Sequence, residues 1–455
     1  MSIEIPSDLS VQSHRGEDAY LRALLKQSEG QKIKVRSEIV GWLQELRQRA
    51  AYDVAQQQIP TRRDEEWRFT DLSELSAANF ERSQPTSLPA EAIAPFILPE
   101  AKHSRLVFVN GFYDPDLSDL SALPEGVFAG NLTQLPLEAS YGAIEYIAHQ
   151  EGAREVFTAL NTAGFPDVAI IWPKRNVIVE TPIHLLFLTA QSDRPIFSQP
   201  RGLIVAETGA SLALIEQYAG TAQNCAAEGE NAPYLNNTVV EIFAGANARI
   251  EHTRYQHESA NGFHIGKTAA SQGRNSYYLC HAVTLGAKLS RHNLEIWQKG
   301  EQTETELQGL TAIARQQTAD THSAIHLNHP HGTANQLHKC IADDSAHAIF
   351  NGKVIVPKPA QLTNAAQLNR NLLLSPSARV DTKPELQITA DNVKCTHGAT
   401  ISQIDTDELF YLQTRGIDAD RARNLLLDAF AAEILDSLAI ASLRSRLAQC
   451  VACRT

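Results

Sequence analysis

Cys395 and His397 stand two residues apart in Val393-Lys394-Cys395-Thr396-His397-Gly398-Ala399-Thr400. In an extended chain, residues two apart share a face, so thiol and imidazole would lie side by side with Lys394 turned away. That pairing suits a soft or borderline metal such as iron or zinc. Chemistry alone favours the plainer reading, an ordinary Cys and His on a half-exposed edge strand.

Three other stretches raise chemical questions. Gly262-Phe263-His264-Ile265-Gly266-Lys267-Thr268 resembles a phosphate loop with one residue too few between its glycines. The motif needs the full length to wrap backbone N–H groups around a phosphate, so a turn is the better reading. His322, His326, His329, His331, His338 and His347 are dense enough to suggest a transition metal. They lack a partner Cys pair, which favours structural stacking and backbone bonding. Cys450 and Cys453 have the spacing of half a zinc knuckle without a second half, and read as incidental thiols. No dinucleotide fingerprint, nucleophile elbow or zincin motif is present.

The elements that must position these residues fall into three parts. Val35, Ile39, Trp42, Leu43 and Leu46 recur at helical spacing. Pro60 interrupts that pattern, and Pro85, Pro89, Pro95 and Pro99 mark a linker. Residues 1–100 are therefore expected to be helical with a proline-rich linker. From Leu106 onward, short apolar runs alternate with turn residues, a strand pattern that continues to about Ile401 without a strong helix. Alternation is clearest at Leu212, Leu214 and Glu216, and at Ile250, His252 and Arg254. Gly209-Ala210, Gly245-Ala246 and Gly286-Ala287 open strand-like runs, with Ser345-Ala346 and Ser377-Ala378 as weaker copies. The unevenness of that recurrence leaves a barrel, two sandwiches or a β-solenoid open for residues 101–401. Residues 402–455 are expected to be helical. Asp405 caps a short helix stopped near Gly416, and Asp418 caps a longer one carrying Leu426, Phe430 and Ile434 on one face.

The whole chain has 455 residues, 43% of them hydrophobic, and a net charge of −12. That composition supports a large core and opposes broad binding to nucleic acid or anionic lipid. No apolar run reaches the length of a membrane span, and the acidic N-terminus opposes a transit peptide. Six cysteines in so long a chain make no disulfide framework, so a reducing cytoplasm is expected.

The run from Thr382-Lys383-Pro384-Glu385-Leu386 through Cys395-Thr396-His397-Gly398-Ala399-Thr400 to Leu409-Phe410-Tyr411-Leu412 and Arg415-Gly416-Ile417 resembles the C-terminal signature of the SufB/SufD family. These are scaffold-complex subunits of the SUF iron–sulfur cluster assembly system. Arg201 to Tyr218, Leu235 to Glu258, Asn351-Gly352-Lys353 and Ala360-Gln361-Leu362-Thr363 extend the resemblance. Two features are similar to the SufD branch: Pro60-Thr61-Arg62-Arg63-Asp64-Glu65-Glu66-Trp67-Arg68-Phe69-Thr70, and Gly398 where SufB relatives usually carry an acid. The loop around Asn224 to Asn231 matches no family motif.

The resemblance implies a mainly β protein, a right-handed parallel β-helix flanked by N- and C-terminal helical regions. It implies a non-catalytic subunit that pairs with a SufB-like paralogue through the end of the β-helix. It also implies that the C-terminal helices, with Leu426, Phe430 and Ile434, dock SufC, an ABC-type ATPase. A transient iron–sulfur cluster or iron would sit at the SufB interface, held from this side by His397 and more weakly by Cys395, with no cofactor tightly bound to the isolated chain. A homodimer of the isolated chain stays open. The rival readings are a SufB-like scaffold holding a whole cluster and a β-helix carbohydrate-active enzyme; no paired-carboxylate motif stands out for the latter.

Overall fold

The computed structural model describes residues 18–28, 35–221 and 232–453. The loop from Asn224 to Asn231, with Cys225, lies outside them. Two parallel sheets face each other and the chain passes from one to the other, making a β-solenoid of about eight turns. In the first sheet Leu289–Gln298 pairs with Thr318–His326, then His347–Val356, then Arg379–Ile388. In the second, Glu304–Ile313 pairs with Thr333–Ala342, then Asn364–Leu373, then Lys394–Gln403. Parallel in-register stacking leaves only a solenoid among the architectures the sequence left open.

Corners repeat as regularly as strands. Asn247, Asn275, Gln302, His331 and Leu362 each take a positive φ between 57° and 61° where the chain leaves the first sheet for the second. The backbone N–H of each bonds to the coil above: Asn275 to Glu301 O, Gln302 to Pro330 O, His331 to Gln361 O. The recurrent small residues sit at these corners and at the opposite ones. Ala210, Ala287, Ala346 and Ala378 are all buried just before or at the start of a strand. A small side chain suits the close approach of the chain at such corners.

Inward positions near the middle are polar as often as apolar. Glu216 accepts from His252 Nε2 at 2.9 Å, Tyr278 Oη lies 2.9 Å from His252 Nδ1, and Arg254 donates to His264 Nε2 at 2.7 Å. Burial opposes a charged His252, but the Cys280 sulfur and the Glu216 carboxylate outweigh it and push the imidazole up to about 10. A polar interior of this kind is tolerable because its members bond to one another.

Helices line the flanks. Val156–Gly164 is buried along its whole length, and Leu137–Ile144 precedes it. These two helices correct the expectation of an unbroken strand region from Leu106 to Ile401. At the other end, Thr406–Thr414 and Ala419–Leu435 begin where expected: the Asp405 and Asp418 side chains accept from Asp407 N and Arg421 N, at 2.8 and 2.9 Å. Ala419–Leu435 and the following helix Ala441–Cys453 fold back on the outer wall of the second sheet. There Leu427, Ala431, Ile434, Leu438 and Leu443 pack on Val283, Leu310 and Ile341.

The segment from Pro60 to Thr70 is a strap across the outer wall of the first sheet. Trp67 is buried beneath the Arg291 guanidinium, 3.9 Å from its ring centroid. Glu66 pairs with Lys353 at 3.2 Å, and Glu65 with Lys383 at 2.5 Å on the last strand of that sheet. Gly262 to Thr268 belongs to the buried strand Gly262–Gln272. It is therefore neither a phosphate loop nor the turn expected in its place.

Candidate functional site

The last coil differs from every coil before it. In Asn364–Leu373 the inward residues Ala365, Gln367, Asn369 and Asn371 are buried. Their partners one coil on, Cys395, His397, Ala399 and Ile401, are half-buried or exposed. Ile401 is 51% exposed above fully buried Asn371. Ile388 is 36% exposed above fully buried Val356. Among the described residues the solenoid stops here without a cap, and both final strands have a free edge.

The two edges are not equivalent. Lys394 N–H bonds back to Thr363 O, so the alternate residues Cys395, His397, Ala399, Ile401 and Gln403 turn their N–H and C=O groups outward along the free edge. Arg379 N–H bonds back to Ala346 O, so Val380, Thr382, Pro384, Leu386 and Ile388 face outward on the other sheet. Pro384 has no N–H to offer. The edge carrying His397 is unbroken, and the opposite one has a gap at its centre.

Cys395 and His397 share the inward face, as their spacing predicts. Cys395 packs against the apolar interior, and burial pushes its thiol up. His397 is exposed and makes no hydrogen bond among the described residues. Below them lies a layer of amides and hydroxyls. Thr382 Oγ1 donates to Asn369 Oδ1 at 2.7 Å, Asn371 Nδ2 donates to the same oxygen at 2.5 Å, and Gln367 Nε2 donates to Gln336 Oε1 at 2.9 Å. Sequence reading missed this layer, although Gln367, Asn369 and Asn371 alternate at strand period and could have signalled an inward polar face. The site can present one imidazole and one thiol to a soft metal at the open end of the solenoid.

The histidine-rich stretch does other work. His326 stacks on Trp297 at 3.5 Å, His338 lies 3.1 Å from Thr311 Oγ1, His347 binds Asp381 at 2.6 Å, and His322 lies between Glu66 and Asp320. His331 forms a corner. Among the described residues, no three His, Cys, Asp or Glu side chains gather as a metal site. Cys450 is half-buried against the C-terminal helices, and the side chain of Cys453 lies outside the described residues.

Residues 187–430 match the family model for the SUF system FeS cluster assembly, SufBD core domain, and residues 19–185 match the SufBD protein N-terminal region. The chain belongs to the SufBD family. A SufBD family iron–sulfur cluster assembly protein of Synechocystis is 52% identical over 90% of each chain. The chloroplastic protein ABCI7 of Arabidopsis thaliana is 37% identical over 87% of this chain and 82% of its own. The iron–sulfur cluster assembly protein SufD of Escherichia coli is 30% identical over 84% of this chain and 85% of its own. This SufBD chain is thus an iron–sulfur cluster assembly protein with SufD-like relatives. Among the described residues no helix is long and apolar enough to cross a membrane.

The C-terminal helices of this SufBD chain correct one expectation. Ile434 is fully buried against the solenoid wall and cannot meet another protein. Phe430 lies partly under Lys339, whose ammonium sits 4.6 Å over its ring and donates to its carbonyl, and Leu426 is half-buried. The stripe that packs inward is Leu427, Ala431, Ile434 and Leu435; the apolar groups turned outward are Phe410, Tyr411 and Leu425. The helix Thr406–Thr414 has no buried residue at all.

Proposed function

We propose that the chain is a non-catalytic scaffold subunit that builds iron–sulfur clusters jointly with a SufB-like chain, which pairs with its open end, and an ABC-type ATPase, which docks on its C-terminal helices. The observation that carries this reading is the uncapped last coil, with His397 and Cys395 on the inward face of an unbroken free edge. Unpaired N–H and C=O groups on a strand edge are a template for another strand. A related solenoid seated there would bury Ile388 and Ile401 and close the mouth over His397. Imidazole and thiol are two donors, half of a four-donor set. The partner would supply the remainder, with a thiolate as its main ligand. A neutral His397 would bind iron through one nitrogen. Cys395, whose thiol burial disfavours ionising, would contribute less. Phe410, Tyr411 and Leu425 form the apolar surface that best suits the ATPase. ATP-driven closure of two ATPase copies would strain the paired solenoids and admit iron to the mouth. The reducing cytoplasm suits such a thiol-containing, oxygen-sensitive site.

The test is co-expression with candidate SufB-like and ATPase subunits, purification through a tag on this chain, and assay of iron and acid-labile sulfide. His397→Ala should leave subunit stoichiometry unchanged and abolish cluster content, because edge pairing uses backbone groups only. Full cluster content in that variant would refute the site. Stable cluster absorbance on the lone chain would favour a self-sufficient scaffold instead.

A further inference from the structure

Gln367 lies one coil below His397, in register with it and on the same inward face. Adjacent strands are about 4.8 Å apart, so an imidazole at 397 can rest directly on the Gln367 amide. The amide is held from beneath. Gln336 Nε2 donates to Ser323 Oγ at 2.8 Å, and Gln367 Nε2 donates to Gln336 Oε1 at 2.9 Å. Gly352 leaves the room for this ladder: a Cβ there would come within 2.4 Å of Gln367 Nε2. With its nitrogen committed downward, the ladder ends in Gln367 Oε1. That oxygen is buried and has no hydrogen-bond partner among the described residues, in a side chain only 2% exposed. An unpaired buried acceptor costs about 1–3 kcal/mol, so one directly beneath a free imidazole needs a reason.

We infer that Gln367 is the positioning residue for His397: its Oε1 accepts the proton-bearing nitrogen of the imidazole, fixing the tautomer and turning the other nitrogen out as metal donor. This rests on the reading of His397 as a ligand given above. A neutral imidazole that binds a metal carries its proton on the second nitrogen and needs an acceptor for it. In the isolated chain the mouth is open and the bond is unmade; a partner solenoid covering the end presses the ring down onto the amide. Gln367 touches no iron itself and acts through His397.

The test uses the metal-free complex of the full chain with its SufB-like partner, titrated with Co(II) and followed by the d–d absorption of the bound ion. Four forms are compared: unaltered, His397→Ala, Gln367→Leu and Gln367→Glu. Loss of an outer partner of a ligating histidine typically weakens metal binding 10–100-fold. Gln367→Leu should show roughly that loss with the subunit ratio unchanged. Gln367→Glu should restore affinity to within a few-fold, since it keeps an acceptor and the Gln336 amide can turn to donate to it. If Gln367→Leu binds Co(II) as tightly as the unaltered complex while His397→Ala does not bind, the positioning role is wrong and the ligand assignment stands. If His397→Ala binds Co(II) unchanged, the ligand assignment itself falls. If Glu and Leu weaken binding equally, Gln367 acts by packing, and the inference is overturned.

Discussion

Truncating Ile434 and truncating Phe410 should separate folding from docking. Ile434 is 0% exposed and Phe410 is 67% exposed, on helices that pack against each other. Ile434→Ala removes three carbons from a sealed site, roughly 0.8 kcal/mol each, before any cavity term. Unrelaxed, the void brings the cost to about 3–4 kcal/mol, within the usual range for such truncations. Phe410 has only about a third of its surface covered, so Phe410→Ala should cost under about 1 kcal/mol of stability. If it anchors the ATPase, its loss should cost at least about 2 kcal/mol of binding, roughly thirty-fold in Kd. The assay is urea unfolding of each variant by circular dichroism, beside calorimetric titration of the ATPase subunit at a temperature where both variants are folded. Ile434→Ala should unfold earlier and bind normally, and Phe410→Ala should do the reverse. Weak binding by folded Ile434→Ala, with normal binding by Phe410→Ala, would refute the reassigned surface.

Other expectations follow from the interior. Glu241→Ala strips the partner from Arg201, 2.5 Å away and equally buried, and should cost about 3–5 kcal/mol in the same urea assay. Gly309→Ala would set a Cβ 1.9 Å from His338 Nδ1 and force the ring off Thr311, costing about 1–3 kcal/mol. Adding His338→Ala should recover part of that loss, and strictly additive losses would contradict the clash. Burial holds His338 and His184 down to about 3, whereas unfolded histidines titrate near about 6.5. Between those values the unfolded chain binds more protons, so stability should fall on acidification by roughly 1.4 kcal/mol per pH unit for each histidine. His338→Gln should lower that slope by one proton; an unchanged slope argues that the ring is not neutral in the fold.

Much of this was legible because turns and alternation are local. Asp405 and Asp418 cap where a carboxylate before an apolar stripe should, and Cys395 and His397 share a face because the strand period is two. Val156–Gly164 was missed although Val156, Ala159, Leu160 and Ala163 recur at helical spacing: over only nine residues that pattern is short, and Thr158, Asn161 and Thr162 are buried as fully as the apolar side chains. The outward face of the C-terminal helix was misread because its pattern is ambiguous. Residues four apart pick out Leu426, Phe430 and Ile434, but Ala419–Leu435 has apolar groups on two sides, and which side meets the solenoid depends on the wall behind it. His252, Arg254 and Glu216 showed the alternation of a strand, yet their inward direction becomes sensible only when each has the others as partners. The strap from Pro60 to Thr70 is held by Asp320, Lys353 and Lys383, all far along the chain and silent about it in sequence.

The two ends of the solenoid differ in what they could offer another strand. At the first, Phe112–Tyr113 turns back antiparallel on Arg105–Val109, and Tyr113, Leu120, Leu123 and Val127 close over the apolar interior. At the last, no described residue covers the coil and one edge offers an unbroken row of backbone donors and acceptors. A rod sticky at both ends would grow into a fibre; a rod finished at one end could take only one end-on mate, so mouth-to-mouth pairing would exhaust the growth surface in a single step. The missing donor at Pro384 adds a sense of direction: any end-on mate would have to match one continuous edge and one interrupted edge at once. Where the winding stops would thus limit the solenoid to one end-on mate.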